Sequence, residues 1–262
     1  MRRILTALGL VVVAVMMIAA YPNIQVEDGR IHVTDGKIQF WSSISNLVAH
    51  WKLNEDAANT DVEDAKGSNG GTLSGGNTAD KSITGKINKA LDFDGIGDYV
   101  TLDNVLTIGS SDNTITAWVK PINSASRIGV ILGNYAGDAT KQSNWEIYSN
   151  GKLRVYWNMG APDLSGTADV ADGTWHHVAV VRNKTDDKFY FYVDGESDAI
   201  SSGVNTAGDD VTFTTVHKIG ADQAADHAHF QGAIDDLRIY DRALTGSEIL
   251  EIYNRGNGTE QE

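Results

Sequence analysis

The chain of 262 residues has no cysteine and only 3 prolines. Without cysteine, disulfide cross-links and thiol catalysis are excluded, so core packing and hydrogen bonds must hold the fold together. Positive charge is also scarce, because 21 Lys and Arg face 35 Asp and Glu, for a net charge of −14. An acidic surface repels phosphate groups, which argues against nucleic acid and anionic membrane surfaces as partners. The same surface offers many oxygen ligands to hard cations.

One long apolar run stands at the N-terminus. After Arg2 and Arg3, residues 4–20 are uncharged and apolar, a pattern typical of a secretory signal peptide. The residue three positions before a cut after Ala20 is large, so an uncleaved anchor stays open as the alternative. We therefore expect residues 1–20 to be a signal peptide or membrane anchor, and the protein to be secreted or held at the cell surface. Any membrane contact would then go through this segment alone.

Residues 21–45 contain a short internal repeat, IQVEDGR followed by IHVTDGK and IQFW. Each Asp-Gly pair tolerates the positive φ angles of a tight hairpin turn. Turns at Asp28-Gly29 and Asp35-Gly36 predict a short β-hairpin extension. A strip this small needs a packing partner. We consider two roles for it: docking on the main domain, or self-association in an assembly.

Residues 46–256 have the pattern of one large β domain. The apolar residues of LVAHWKL alternate from Leu47 onward, which predicts a half-buried strand. Further short alternating segments follow at close spacing, and Asn150-Gly151 predicts a tight hairpin between two of them. Residues 54–81 are polar and Gly-rich, and we expect a loop with one short strand there.

The end of the chain predicts one short helix. Thr245 to Glu248 form an S/T-x-x-E capping box, and Gly256 is placed to end the helix. Residues 257–262 are a polar tail. Because many short strands are combined with so little helix, the sequence predicts an all-β fold of two antiparallel sheets packed as a sandwich.

Five segments of the sequence resemble laminin G-like domains of the concanavalin A-like superfamily. They are ALDFDGIGDYVTL, TITAWVKP, DGTWHHVAVVRN, FYVDGE and GAIDDLRIYDRALTGSEI, in this order. The resemblance runs from about Leu47 to Gly256. It implies a concanavalin A-like jelly roll, a scaffold used mostly for binding sugars or proteins. It does not identify the ligand, since function in such folds depends on residues grafted onto a common scaffold.

Two aspartates stand out as candidate calcium ligands. Asp98 has the parity of the apolar residues in its strand, and Asp235 shares parity with Leu237. An ionised carboxylate on a core face is costly unless it is paired, capped or bound to a metal. Relatives of this fold often hold calcium at a sheet edge, so the resemblance implies a structural Ca²⁺ site, with Asp236 and Asp64 as completing ligands. The alternative is that the carboxylates only cap turns.

Three aromatic residues are the candidate ligand contacts: Tyr135, Trp145 and Tyr148, which we expect in or near the variable loops. Aromatic rings stack on the apolar face of a sugar. Trp118 has the same chemistry, but we favour packing for it. The expected partner is a glycan or an extracellular protein.

Signals of catalysis are missing. Glycosidases that share this sandwich commonly carry E-x-D-x-x-E on one strand, and hydrolysis needs two carboxyl groups facing each other across the sugar. The sequence has no such string, and no G-x-S-x-G elbow or phosphate loop. We therefore expect no enzyme but a non-catalytic recognition module. The alternative is a structural subunit of an extracellular coat that self-associates through residues 21–45.

Overall fold

The computed structural model of the protein describes residues 32–34, 37–39, 44–122, 129–134, 143–157, 164–201, 210–223 and 228–255. The chain divides into two units, Met1–Ser45 and Asn46–Glu262. The predicted leader and the predicted polar tail lie outside the described residues. No helix within these ranges is long and apolar enough to cross a membrane.

The first unit contains a two-stranded antiparallel sheet. Strands β1 (His32–Thr34) and β2 (Lys37–Gln39) pair with Val33 opposite Ile38. The predicted turn at residues 35–36 therefore falls between two paired strands. The repeat's earlier strand and turn lie outside the described residues.

The second unit is a sandwich of two antiparallel sheets, as the sequence predicts. The strands of the first sheet are β4 (Asp61–Val62), β5 (Gly71–Ser74), β8 (Tyr99–Leu102), β10 (Gly129–Gly133), β11 (Ser143–Ile147), β12 (Lys152–Trp157), β13 (Leu164–Asp169) and β17 (Lys218–Ile219). They lie in the order β13-β12-β11-β10-β17-β8-β5-β4.

The strands of the second sheet are β3 (Leu47–Trp51), β6 (Ser82–Thr84), β7 (Lys89–Asp94), β9 (Asn113–Pro121), β14 (His176–Asn183), β15 (Lys188–Val193), β16 (Glu196–Ile200) and β18 (Gln231–Tyr240). They lie in the order β16-β15-β14-β9-β18-β7-β6, and β3 also pairs with β18. The described helices are α1 (Thr78–Lys81) and α2 (Gly246–Arg255).

The hydrophobic core lies between the two sheets. Leu91, Val119 and Leu237 enter it from the second sheet, and Val100 and Ile219 enter it from the first. All five are fully buried. This layer explains the alternation in the sequence, because every second residue of a strand points to the same face.

Two local predictions are confirmed at atomic detail. The N–H of Glu248 donates to Thr245 Oγ1 at 3.3 Å, and the N–H of Thr245 donates to Glu248 Oε2 at 2.8 Å, which is the reciprocal capping box of α2. Strands β11 and β12 pair across the Asn150-Gly151 turn, where Gly151 has φ of +81°.

The expectation of a loop with one short strand at residues 54–81 is wrong. This segment holds β4, β5 and α1, whose N-cap Asn77 accepts the Asp80 N–H at 3.0 Å. Strand β5 has only one buried apolar side chain, Leu73, but it pairs along its length with β8. Such a strand is held by its neighbour rather than by its own apolar residues, so periodicity alone does not reveal it.

Candidate functional site

Two adjacent rows of residues run across the first sheet, one on each face. Directly opposite residues on neighbouring strands point to the same side of a sheet. The inner row pairs in succession across β12, β11, β10, β17, β8 and β5, and all its members belong to the buried core: Val155, Trp145, Leu132, Ile219, Val100 and Leu73.

The neighbouring row lies on the outer face and is polar. Its members pair across the same six strands: Tyr156, Asn144, Gly133, Lys218, Thr101 and Thr72. We call this outer face of the first sheet, with Tyr99, Glu146, Tyr148 and Arg154 beside the row, the polar face. The alternation therefore places tyrosines, threonines, an amide and charged groups outside a wholly apolar inner row.

The most developed part of the polar face is built around Arg154. Arg154 lies opposite Glu146 in the β11–β12 register, and its Nε donates to Glu146 Oε1 at 2.6 Å. The guanidinium carbon of Arg154 lies 3.7 Å from the centre of the Tyr148 ring. Glu146 is buried, whereas Arg154 and Tyr148 are half-exposed. The arrangement offers solvent an aromatic ring and a cation above a buried carboxylate.

A second carboxylate adjoins this group. Asn144 Nδ2 donates to Asp222 Oδ2 at 3.4 Å. Burial raises the pKa of Glu146; Arg154 and Asn144 act in the lowering direction, and the charge of Asp222 adds to the rise. Gly133 allows this packing, because a Cβ there would come within 2.5 Å of Asn144 Oδ1.

The other side of the polar face carries Tyr99. Lys218 Nζ lies 4.2 Å from the centre of the Tyr99 ring, and the His229 ring is 6.0 Å from it. Tyr99, Lys218 and His229 are all half-exposed. Aromatic faces beside hydrogen-bonding groups occur at both ends of the polar face, which is the combination that sugar binding uses.

The three predicted ligand residues have different positions. Tyr148 lies on the polar face. Trp145 does not, which corrects the expectation of a loop position: it is in β11, points into the core and is 3% exposed. Tyr135 lies outside the described residues. Glu146 and Arg154 are not among the residues predicted from the sequence, although their alternation with apolar neighbours in β11 and β12 is a signal that indicates them.

Asp98 is buried in a polar pocket of its own. Its Oδ2 accepts Lys81 Nζ at 2.7 Å and the Asp94 N–H at 2.9 Å. Burial tends to raise the pKa of Asp94, but three backbone N–H donors, those of residues 96, 97 and 98, lower it overall. The Lys81 ammonium therefore lies at the carboxylate for which the sequence predicts a calcium ion.

Asp235 lies on the opposite face from the one that parity predicts. A bulge in β18 at Asp236, which has φ of +53°, shifts the register between Asp235 and Arg238. Asp235 is therefore opposite Trp118 on the outer face, where its Oδ2 accepts the Ile87 N–H at 2.8 Å. The predicted shared face of Asp235 and Leu237 is wrong, because a bulge adds one residue to the alternation.

The remaining two candidate ligands flank His50. Asp236 Oδ1 lies 2.7 Å from His50 Nε2 and 2.9 Å from a terminal nitrogen of Arg238. Burial alone would raise the pKa of Asp236, but Arg238 and His50 hold it below its ordinary value. Asp64 accepts three backbone N–H groups, including that of His50 at 2.9 Å.

Each of the four predicted metal ligands thus has hydrogen-bond partners within the protein. Among the described residues, no three His, Cys, Asp or Glu side chains come together in a group that could hold a metal ion. As arranged, the four carboxylates do not fit one calcium ion, and calcium binding stays a prediction.

Trp118 packs as expected. It is 1% exposed, with ring centres 5.3 Å from His177 and 5.5 Å from Tyr253 of α2. The helix therefore covers the outer face of the second sheet at this point and leaves the outer face of the first sheet as the candidate site.

Comparison with known proteins agrees with this architecture. Residues 94–250, more than half of the chain, match a laminin G family model described as the concanavalin A-like lectin/glucanases superfamily. The sequence is 27% identical over 176 residues to the sushi, von Willebrand factor type A, EGF and pentraxin domain-containing protein 1 of Rattus norvegicus. That match covers 62% of this chain and 5% of the rat protein, so the chain spans only a small part of this relative.

Solved structures with the same fold include carbohydrate-active proteins. Domain 4 of AbnA, an extracellular arabinanase of Geobacillus stearothermophilus solved with arabinotriose, superposes with a TM-score of 0.61 and 22% identity, covering 79% of this chain and 98% of that domain. A mutant Trypanosoma rangeli sialidase superposes with a TM-score of 0.60 and 18% identity, covering 82% of this chain and 34% of the sialidase. At these identities the likeness shows the fold. Together with the family match, the two-sheet sandwich establishes that the chain belongs to the laminin G-like group of the concanavalin A-like lectin/glucanases superfamily.

Proposed function

We propose that the protein is a non-catalytic recognition protein, secreted or held at the cell surface, that binds a carbohydrate on the polar face. The observation that carries the proposal is the polar row outside an apolar row across six strands, with the Tyr148–Arg154–Glu146 group beside it. A sugar ring has an apolar C–H face and polar edges. A half-exposed tyrosine next to fixed donors and acceptors matches both.

The geometry favours binding over hydrolysis. Glycoside hydrolysis needs one carboxylic acid that donates a proton and a second carboxylate across the sugar. Glu146 is engaged by Arg154, and Asp222 is hydrogen-bonded to Asn144. Both are buried rather than presented to a ligand. If the unmodified protein hydrolysed a glycoside and the Glu146→Gln variant did not, the protein would be an enzyme and the proposal would be wrong.

A glycan array tests the proposal. The full protein is compared with Tyr148→Ala, and with Lys188→Ala as a control, because Lys188 is exposed on the second sheet. The array includes arabinotriose, which the arabinanase domain of the same fold was solved with. We expect binding to a related set of sugars, weakened about fivefold by Tyr148→Ala, since aromatic contacts contribute about 1 kcal/mol beyond their burial. A blank array for the unmodified protein would sink the proposal.

A second function is favoured by the N-terminal hairpin. Among the described residues, β1 and β2 pair only with each other, and a two-stranded sheet leaves backbone groups free for further strands. We therefore propose self-association through residues 21–45 as the alternative, in a structural coat subunit. Light scattering separates the two functions: a binding module stays a monomer or small oligomer, whereas a coat subunit polymerises and loses this ability when residues 21–45 are deleted.

A further inference from the structure

Two tyrosines mark opposite sides of the polar face. Tyr148 directly follows β11, and Tyr99 is the first residue of β8. Strands β10 and β17 lie between β11 and β8 in the sheet, so three strand spacings separate the two tyrosines. At about 4.8 Å per spacing the separation is roughly 14 Å, about three times the length of one sugar ring. A single sugar can therefore contact one of these tyrosines but not both.

Each tyrosine has a cation against its ring. The guanidinium carbon of Arg154 lies 3.7 Å from the centre of the Tyr148 ring, and Lys218 Nζ lies 4.2 Å from the centre of the Tyr99 ring. All four side chains are half-exposed. An aromatic ring next to N–H donors offers a sugar both an apolar surface and hydrogen bonds. Each end of the polar face therefore contains the elements of one sugar contact point.

The two contact points differ in how firmly the cation is held. Arg154 binds Glu146 through Nε and through a terminal nitrogen, so its position beside Tyr148 is fixed. Among the described residues, Lys218 is in contact with the Tyr99 ring but forms no ion pair. Its ammonium group has three N–H donors, and these are available to the hydroxyl groups of a ligand.

The surface between the two contact points offers little to a ligand. Gly133 of β10 has no side chain and is buried. Asn144 is 6% exposed, and its Nδ2 donates to Asp222, which is 4% exposed. Contacts with a ligand are therefore concentrated at two separate points instead of being spread along the face.

We propose that the polar face binds an extended segment of a linear glycan, with one sugar unit at Tyr148 and another, about two units further along, at Tyr99. This inference rests on the proposed function and specifies the length of the ligand. Once one unit is bound, contact at the other end becomes intramolecular, so a chain that reaches both points gains affinity. A monosaccharide occupies only one point at a time.

The dependence of affinity on chain length tests the proposal. Isothermal titration calorimetry of the full protein compares arabinose with arabinotriose, and the monosaccharide with the tetrasaccharide of the strongest ligand on the glycan array. We expect the tetrasaccharide to bind about fivefold more tightly than the monosaccharide, the gain from one further aromatic contact, with one tetrasaccharide per protein. Equal affinities, or two tetrasaccharides per protein, would overturn this inference and leave the proposed function intact. A blank array would instead overturn the proposed function itself.

Variants at the two ends locate the contacts. Tyr99→Ala and Tyr148→Ala each leave one contact point, so in either variant the tetrasaccharide should bind no more tightly than the monosaccharide. Tyr99→Phe keeps the ring and should restore the gain that Tyr99→Ala loses. Tyr190→Ala is the matched control, because Tyr190 is a half-exposed tyrosine of β15 in the second sheet. Its melting temperature and those of the other variants show whether each is folded. If Tyr99→Ala kept the full gain, the second contact would not lie at Tyr99 and the proposal would be wrong.

Discussion

Arg154 stacks on Tyr148 while the same guanidinium binds Glu146, so one cation joins a buried carboxylate to a half-exposed ring. The two charged groups differ in solvent exposure, because the side chain of Glu146 is 2% exposed and that of Arg154 is 19% exposed. Removing the cation therefore leaves a charge inside the protein, whereas removing the carboxylate leaves a charge that water can reach.

This asymmetry predicts the result of a double-mutant cycle. Arg154→Leu should lower the free energy of unfolding by about 3 kcal/mol, because it leaves Glu146 buried without its partner. Glu146→Gln should cost about 1 kcal/mol. The double variant should be more stable than the Arg154→Leu variant, as measured by urea denaturation. Lys152→Leu, on the same strand and face, is the control and should change stability by less than about 0.5 kcal/mol.

Two buried histidines make the fold sensitive to acid. Burial lowers the pKa of His177 to about 4 and that of His217 to about 3, and neither ring has a hydrogen-bond partner among the described residues. Both are neutral in the fold, whereas the unfolded chain binds their protons below about pH 6.5. Stability should therefore fall as the pH drops below 6.5. For His177 the loss is complete near pH 4 and on the order of 3 kcal/mol.

The measurement is the melting temperature between pH 7 and 5, a range in which few ordinary carboxylates take up protons. His177→Phe should flatten this slope, because the ring still packs between Trp118 and Tyr253 but cannot be protonated. The charges that face His177, those of Asp236, Arg238 and Asp194, remain in the variant. If the dependence of melting temperature on pH were the same in the variant, protonation of His177 would not be the cause of the loss of stability in acid.

Much of the sandwich could be predicted from sequence because its strands alternate strictly. In β12 the apolar residues Leu153 and Val155 face the core and Arg154 faces out, as period-2 alternation requires. The capping box and the Asn150-Gly151 turn are likewise local signals. Each needs only residues a few positions apart.

The candidate site could be predicted less well, because its key features depend on partners far along the chain. Nothing near Asp236 signals a bulge, yet the bulge reverses the face of Asp235. The sequence leaves the start of β11 uncertain, and a shift of one residue decides whether the Trp145 ring is inside or outside. The ammonium at Asp98 comes from Lys81, on a helix that the sequence does not indicate.

The Lys81–Asp98 pair also gives a test for calcium. Because Lys81 Nζ is 2.7 Å from Asp98 Oδ2, the protein as arranged should melt at the same temperature with calcium and with EDTA at matched ionic strength. Lys81→Met should destabilise it by about 1–3 kcal/mol, since Asp98 is 1% exposed but Lys81 is partly solvated. If calcium restores the melting temperature of this variant, Asp98 is a competent metal ligand. A drop in EDTA for the unmodified protein would instead support a resident ion.

The bulge at Asp236 combines backbone strain with a charge contact, and three substitutions separate the two. Its φ of +53° is a region that asparagine and glycine tolerate and alanine does not. Its carboxylate also contacts Arg238 and His50. Asp236→Asn keeps the backbone preference and a hydrogen-bond acceptor, and should cost least. Asp236→Gly keeps only the backbone freedom, and Asp236→Ala loses both.

We therefore expect the free energy of unfolding to be highest with Asp at position 236 and to decrease in the order Asn, Gly, Ala. The Gly and Ala variants should differ by about 1 kcal/mol, which is the ordinary cost of a left-handed backbone for a residue with a Cβ. The larger step should fall between Asn and Gly, because Arg238 then loses its hydrogen-bond acceptor at this position. Urea denaturation of the four proteins measures the series. If Gly were as stable as Asp, the contacts with Arg238 and His50 would contribute nothing, and the bulge would be only a backbone feature. If the Ala variant were as stable as the Gly variant, residue 236 would not keep the left-handed conformation in solution. The bulge would then not explain why Asp235 is on the outer face.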